Sequence, residues 1–430
     1  MRFPVRFRRA TLAGALSSSF ALALPLACGL ATAPARADDA PPAAAPAASK
    51  DTVRPEVGTP LQAAQALMKD KKFKEALAKI KDAEAIPALT PYEKFIIEST
   101  RASAAAQSGD DELAATSFEN LVASGRLQPA QQLKIVQALA GTYFKTKNYP
   151  KAVTWAERYI KDGGTEPSVE DILYGSYYYS NDFKSASSRL HAAMEADEKA
   201  GRTTPESRLQ MALNSDLKIG NSAGSATDLD KLLAAYPQKQ YWDLAISRAE
   251  HRPGAERMEL DLLRLKFALG DLHRDGDYME LAQLALEAGF PSEAKKVLDQ
   301  GFASGVLGKG TEAERQKRLL AKATKDAADD QKALGAGDAE ADKAKAGDAM
   351  VNTGYNYVIN GKAEHGLALI EQGLKKGGLR HPEDGRLHLG IAQHLAGDNA
   401  RAIQTLHAVG GADAAADIAR LWAVYLAGKH

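Results

Sequence analysis

The 430-residue sequence predicts an all-α fold, a solenoid of antiparallel helix hairpins. The first observation behind this is a cadence. A turn residue is followed by an aromatic or small residue, then three or four positions later by a small one. It reads Lys72-Phe73…Ala76, Asp110-Asp111…Ala114, Asn148-Tyr149…Ala152 and Asp182-Phe183…Ala186, and the small residues recur at intervals of 38, 38 and 34. Self-similarity at such a period marks a stack in which each hairpin buries its apolar face against its neighbours. The second observation is composition: from Leu61 onward Ala and Leu abound, β-branched runs are scarce, and Gly, Asn or Pro stands at the punctuation points.

The elements follow in order. Residues 1–37 read as an export signal: Arg2, Arg6, Arg8 and Arg9 form a basic start, an apolar stretch runs to Leu30, and Ala35-Arg36-Ala37 supplies a small-x-small cleavage site. Cleavage near Ala37 leaves a periplasmic or secreted chain. A lipid anchor on Cys28 is the alternative, and Arg8-Arg9 leaves Sec and twin-arginine export both open. The mature chain then has no cysteine, which suits an oxidising compartment. It keeps 50 basic against 55 acidic residues, net −5, without a basic stripe, so nucleic acid is not an expected partner. No later apolar run reaches the length of a membrane span.

Residues 38–60, rich in Ala and Pro, read as a disordered linker. Hairpins are expected from 61–70 with 74–85, 92–108 with 112–123, 129–145 with 151–161, 169–179 with 184–200, and 205–219 with 227–236; together they make an N-terminal block over 61–237. Residues 238–305 hold a degenerate hairpin (241–249 with 255–269) and a regular one (278–288 with 292–302). Residues 306–347 are rich in Ala, Lys, Asp and Glu; they read as a charged, solvated helix and a flexible joint, punctuated by Gly335, Gly337 and Gly347. A C-terminal block over 348–430 pairs 350–359 with 364–375 and 382–395 with 400–409. A last helix over 412–426 would cover the open end of the stack.

These residues resemble tetratricopeptide repeats (TPR). Hairpin three carries the pattern as Leu139, Ala140, Tyr143, Asn148, Tyr149 and Ala152. Hairpin four carries it as Leu173, Tyr177, Asp182, Phe183, Ala186 and Leu190, with Tyr174 in the small position. The C-terminal pairs carry Gly354, Tyr357 and Gly361, then Leu389, Gly390, Gly397, Asp398, Ala402 and Leu406. Several periods run to 36–39 residues where the family has 34. The resemblance implies a right-handed superhelix whose first helices line a concave groove. It also implies that Lys134, Gln137, Phe144, Lys145, Asp171, Tyr178 and Tyr179 face that groove. Aromatics with flanking charges suit recognition of a peptide or helix. Tyr174 and Tyr177 are expected to pack between hairpins.

No His-Glu-x-x-His, Cys-x-x-Cys or calcium-loop pattern occurs. His381, His388 and His394 stand 7 and 6 apart, off a common helix face for metal binding, and read as surface or capping residues. Gly305, Gly308 and Gly310 lack a Walker Lys-Ser/Thr and read as a loop; Asp329-Asp330 reads as solvated. No catalytic residue, cofactor or metal is expected, and the chain is not expected to be an enzyme. The sequence points to an exported protein–protein interaction scaffold or adaptor in a bacterial envelope. The alternatives are an accessory module of polysaccharide export or glycan binding, and a self-assembling structural protein forming a homo-oligomer. Trp155, Trp242 and Trp422 are the only tryptophans available for stacking on sugars.

Overall fold

A computed structural model describes residues 51–428. The expected signal, Cys28 and residues 38–50 lie outside the described residues. All regular structure within them is helical, and the chain divides into two compact units, Met1–Asn221 and Ser222–His430. No described helix is long and apolar enough to cross a membrane.

The first unit contains α1 (Pro55–Lys69), α2 (Phe73–Glu84), α3 (Pro91–Ser108), α4 (Asp111–Ala123), α5 (Pro129–Lys145), α6 (Tyr149–Lys161), α7 (Pro167–Tyr179), α8 (Phe183–Lys199) and α9 (Glu206–Ile219). Each helix packs on the next, and the first helices of neighbouring hairpins lie side by side, α1 with α3 and α5 with α7. One apolar core runs from Val57 to Leu173. Helix α1 starts at Pro55, inside the stretch expected as linker: a proline at the first helical position has its φ preset and loses no hydrogen bond.

The cadence has a local cause. The first helix of a hairpin ends at a residue of positive φ, such as Gly109 (79°), Lys147 (62°) or Asn181 (63°). The next residue caps the second helix: Asp110 accepts from the Leu113 N–H at 3.1 Å, Asn148 from Lys151 at 3.4 Å, Asp182 from Ser185 at 3.2 Å. Four residues past the cap stands a buried alanine, Ala114, Ala152 or Ala186, where the second helix meets the first. Ala76 follows Lys72, and Ala402 follows the cap Asp398, in the same way.

Entry to the second hairpin is fixed by Glu93. Its carboxylate is fully buried, accepts from the Thr90 N–H at 2.8 Å within a capping box, and pairs with Arg54 Nε at 2.7 Å. The Arg54 hydrogen bond, aided by backbone N–H groups, outweighs burial and lowers its pKa from 4.5 to about 2. A depressed carboxylate pKa stabilises the fold above the unfolded value and loses that contribution as pH falls. Glu93→Gln is therefore expected to cost about 2 kcal/mol at pH 7. It should also flatten the acid limb between pH 4.5 and about 2, read by urea unfolding over a pH series.

The second unit contains α10 (Ser222–Ala235), α11 (Lys239–Glu250), α12 (Glu259–Leu269), α13 (Asp275–Glu287), α14 (Pro291–Ala303), α15 (Ala313–Lys343), α16 (Asp348–Ile359), α17 (Ala363–Lys376), α18 (Pro382–Leu395), α19 (Asn399–His407) and α20 (Ala414–Ala427). The expected fifth hairpin is divided between the units: α9 packs on α8, whereas α10 packs on α11 and α20. Helix α20 does more than cover the last hairpin. It packs on α18 and α19 and also on α10, α11 and α12, so the unit closes on itself. The seam is polar and specific. The Ala414 N–H donates to the Pro253 carbonyl at 3.0 Å, Tyr425 Oη donates to the Ala268 carbonyl at 2.7 Å, Arg257 pairs with Asp384 (2.7 Å) and Asp413 (3.0 Å), and Arg420 pairs with Asp230.

The charged stretch is one helix, α15, which runs straight through Gly335 and Gly337. It packs on α14 and α16. Asp330, expected to be solvated, accepts from Asn356 at 2.9 Å and Asn360 at 3.3 Å, and Tyr357 Oη donates to the Leu334 carbonyl at 3.0 Å. The following hairpin is the tightest. Gly366 holds the place that Ala76 and its equivalents hold elsewhere, and Gly354 faces it. A Cβ on either glycine would lie 2.5 Å from the other's carbonyl oxygen. One turn-pair away Gly347 and Gly373 repeat the approach.

Candidate functional site

Helix geometry collects aromatic rings at the turn end of hairpins three and four. Phe144 closes α5, Tyr149 opens α6, Tyr178 and Tyr179 close α7, and Phe183 opens α8. Tyr179 stacks on Tyr149 with centroids 5.5 Å apart and meets Phe144 at 6.2 Å. Tyr178 meets Tyr179 and Phe183 edge-on, each at 5.5 Å. Such pairs add about 0.5–1.5 kcal/mol beyond their area, so the ladder is a preformed surface. It needs Gly175: a Cβ there would stand 2.9 Å from the Phe144 ring. Tyr179 remains 51% exposed. Burial pushes the Tyr149 and Tyr178 hydroxyls upward, so both stay neutral in ordinary buffers.

The structure thus brings Phe144, Tyr178 and Tyr179 together. Lys145 adjoins them, its Nζ 2.7 Å from Asp111. Lys134 is exposed on α5 but sits three turns from Lys145, roughly 16 Å along the axis. Gln137 is half-buried on the same helix. Asp171 is engaged by Arg208 Nε of α9 at 2.7 Å. Tyr149, read in the sequence as a repeat position only, belongs to the ladder. Its place beside a cap at the turn shared with Phe144 was the available signal. Tyr174 and Tyr177 pack between hairpins. Tyr174 is buried under Arg208, and Tyr177 Oη donates to Glu157 at 2.7 Å. Burial, with the nearby carboxylates, pushes both hydroxyls up to about 12.

The second unit holds a polar knot. Arg264 on α12 is 5% exposed. It pairs with Asp261 at 2.8 Å and with Glu293 of α14 at 2.7 Å, and its guanidinium lies 4.6 Å from the Tyr355 ring and 5.2 Å from Phe290. His388 of α18 lies 3.1 Å from Asp261. Burial alone would raise the Asp261 pKa, but His388 and Arg264 hold it well below the carboxylate range; burial raises that of Tyr355. His388 is therefore neither a surface nor a capping residue. The signal was a pair of charges three apart, Asp261 and Arg264, set among Leu260, Leu262, Leu263 and Leu265. Arg264 lines two cavities of about 590 and 550 Å³.

No family model and no curated protein matches the chain. Among solved structures it is similar to the Naa15/Naa10 complex bound to HypK-THB, at 14% identity and a TM-score of 0.31, over 82% of this chain and 57% of that one. The chain therefore spans little more than half of that protein's length. It is also similar to yeast Tom70, at 13% identity and a TM-score of 0.24, over 82% of this chain and 91% of that one. The apo form of RapI matches at 14% identity and a TM-score of 0.25, over 63% of this chain and 98% of that one. At these TM-scores the likeness adds nothing to what the chain's own hairpins show, which is an all-α succession of capped helix pairs.

Proposed function

We propose that the chain is an exported adaptor of a bacterial envelope, binding a protein partner through the groove of its first unit. The aromatic ladder carries this reading. Tyr179 stands half-exposed on a rigid stack of rings with Lys145 at its margin. Rigid aromatics beside charge are the usual anchors of protein interfaces, because they bury large area at little entropic cost. The partner is an extended or helical peptide segment laid across hairpins three and four, with Lys134 and Gln137 extending the contact along α5. Export and a periplasmic location rest on the signal pattern of residues 1–37. No cofactor enters this reading. Glycan binding is less well supported, since Trp155 lies in a second helix with Arg158 over its ring at 5.4 Å and Trp422 is buried.

The test is capture of a partner from envelope extract by the chain from Asp38 onward, followed by titration of the purified pair. Tyr179→Ala, and the triple change Tyr178→Ala/Tyr179→Ala/Lys145→Glu, are expected to weaken binding at least about tenfold, as loss of an aromatic anchor does, with helical circular dichroism unchanged. Equal binding by the folded triple variant would remove the site from this face. Concentration-dependent light scattering of the chain alone checks self-assembly as the rival.

A further inference from the structure

The 550 Å³ cavity of the second unit is lined by α12, α13, α14, α16, α18 and α20. Its size is that of a small-molecule site. Phe267, Val297, Ile391, Leu395 and Trp422 make its walls apolar, and Leu395 is 42% exposed. Its charges are few. Arg264 is consumed by Asp261 and Glu293, and Glu293, the one carboxylate in the lining, is held by both Arg264 Nε and Nη2. That leaves Lys296, exposed on α14 and without an ion-pair partner among the described residues. Two lining side chains also bury a polar atom that meets no hydrogen-bond partner there, the Tyr355 hydroxyl and Trp422 Nε1. An indole N–H is a donor only.

A cavity with several apolar walls, one lysine outside any ion pair and two buried polar groups without partners is complementary to one kind of ligand. We propose that this cavity is a binding site for a small monocarboxylate with an apolar body, its carboxylate toward Lys296 and its chain or ring against Trp422 and Ile391. The site shares no residue with the aromatic ladder, so it stands or falls independently of the adaptor reading.

Octanoate, octylamine and 4-phenylbutyrate, titrated calorimetrically into the full chain, test it. Octanoate or 4-phenylbutyrate is expected to bind one to one and raise the thermal midpoint, with octylamine at least tenfold weaker. Lys296 is exposed, so Lys296→Glu should fold normally and reverse the preference for octanoate over octylamine. Trp422→Phe leaves a smaller aromatic wall for the chain to pack on, and should weaken octanoate several-fold. Leu395→Glu, also at an exposed position, should repel the acids. Failure of both acids to bind at millimolar concentration would overturn the proposal. So would equal binding of octanoate and octylamine, or an unchanged octanoate affinity in folded Lys296→Glu.

Discussion

Gly354→Ala is expected to lower the stability of the second unit by about 2–3 kcal/mol, the cost of overpacking a close contact, whereas Gly335→Ala is expected to raise it by up to about 1 kcal/mol. Both residues lie inside helices, where alanine is intrinsically preferred. The sign is decided by what the new Cβ meets. At Gly335 nothing lies within 4 Å. At Gly354 the added carbon would stand 2.5 Å from the Gly366 carbonyl oxygen and 2.8 Å from the Ile370 backbone nitrogen. Backbone cannot rotate away as a side-chain tip can, so α16 and α17 must move apart and the packing along Gly347 and Gly373 loosens with them. Gly366→Ala should behave as Gly354→Ala does. Chemical unfolding of the three single variants, followed by circular dichroism, checks the pattern; a neutral Gly354→Ala would show that the hairpin is not held at this separation in solution.

Arg264→Met should cost about 3–5 kcal/mol, because it leaves Asp261 and Glu293 buried beside an apolar side chain. The effect carries a pH signature. In the parent, Arg264 and His388 keep Asp261 ionised against the pull of burial. Without the guanidinium, burial favours the protonated acid, so its folded pKa rises relative to the parent. A raised folded pKa contributes stability as pH falls. The deficit of Arg264→Met is thus expected to be largest near pH 7 and to narrow toward pH 4, as read from urea midpoints. Neutralising the partners as well, in Arg264→Met/Asp261→Asn/Glu293→Gln, should recover part of the loss, since a neutral buried cluster is cheaper than a broken charged one. A pH-independent deficit would mean that lost packing, not stranded charge, dominates.

The local rule of the fold was legible in the residues themselves. A cap and an alanine four positions later mark the second helix of a hairpin wherever they occur, because both arise from short-range geometry: an orphan N–H at the helix start and a close approach one turn on. Which helix packs on which was less legible. Gly220 and Asn221 look like a hairpin turn, and α9 does end at a positive-φ Gly220. Yet α10 finds its partners in α11 and in α20, nearly two hundred residues away, and no local signal encodes that. Gly335 and Gly337 read as helix breakers because propensity argues so. They are overridden by the ties from Asp330 and Leu334 to α16. The aromatic ladder was half visible: the run Tyr177–Tyr179 stands out in the sequence, but its stacking on Tyr149 depends on how hairpins three and four align. The Arg264 knot draws on α12, α14, α16 and α18, and only a three-residue charge spacing hinted at it.

The seam between α20 and the α10–α12 helices also orders events during folding. The first unit is built from neighbours in sequence, so each hairpin can dock on the one before it. The second cannot finish this way. Asp230 waits for Arg420, and the Ala268 carbonyl waits for Tyr425, contacts that span 190 and 157 residues. Long loops of this kind are slow to close. Helix α20 is therefore the element that seals a wall begun at Ser222. Until α20 docks, the surfaces of α10, α11 and α12 that it covers stay open, a vulnerable interval that the first unit does not share.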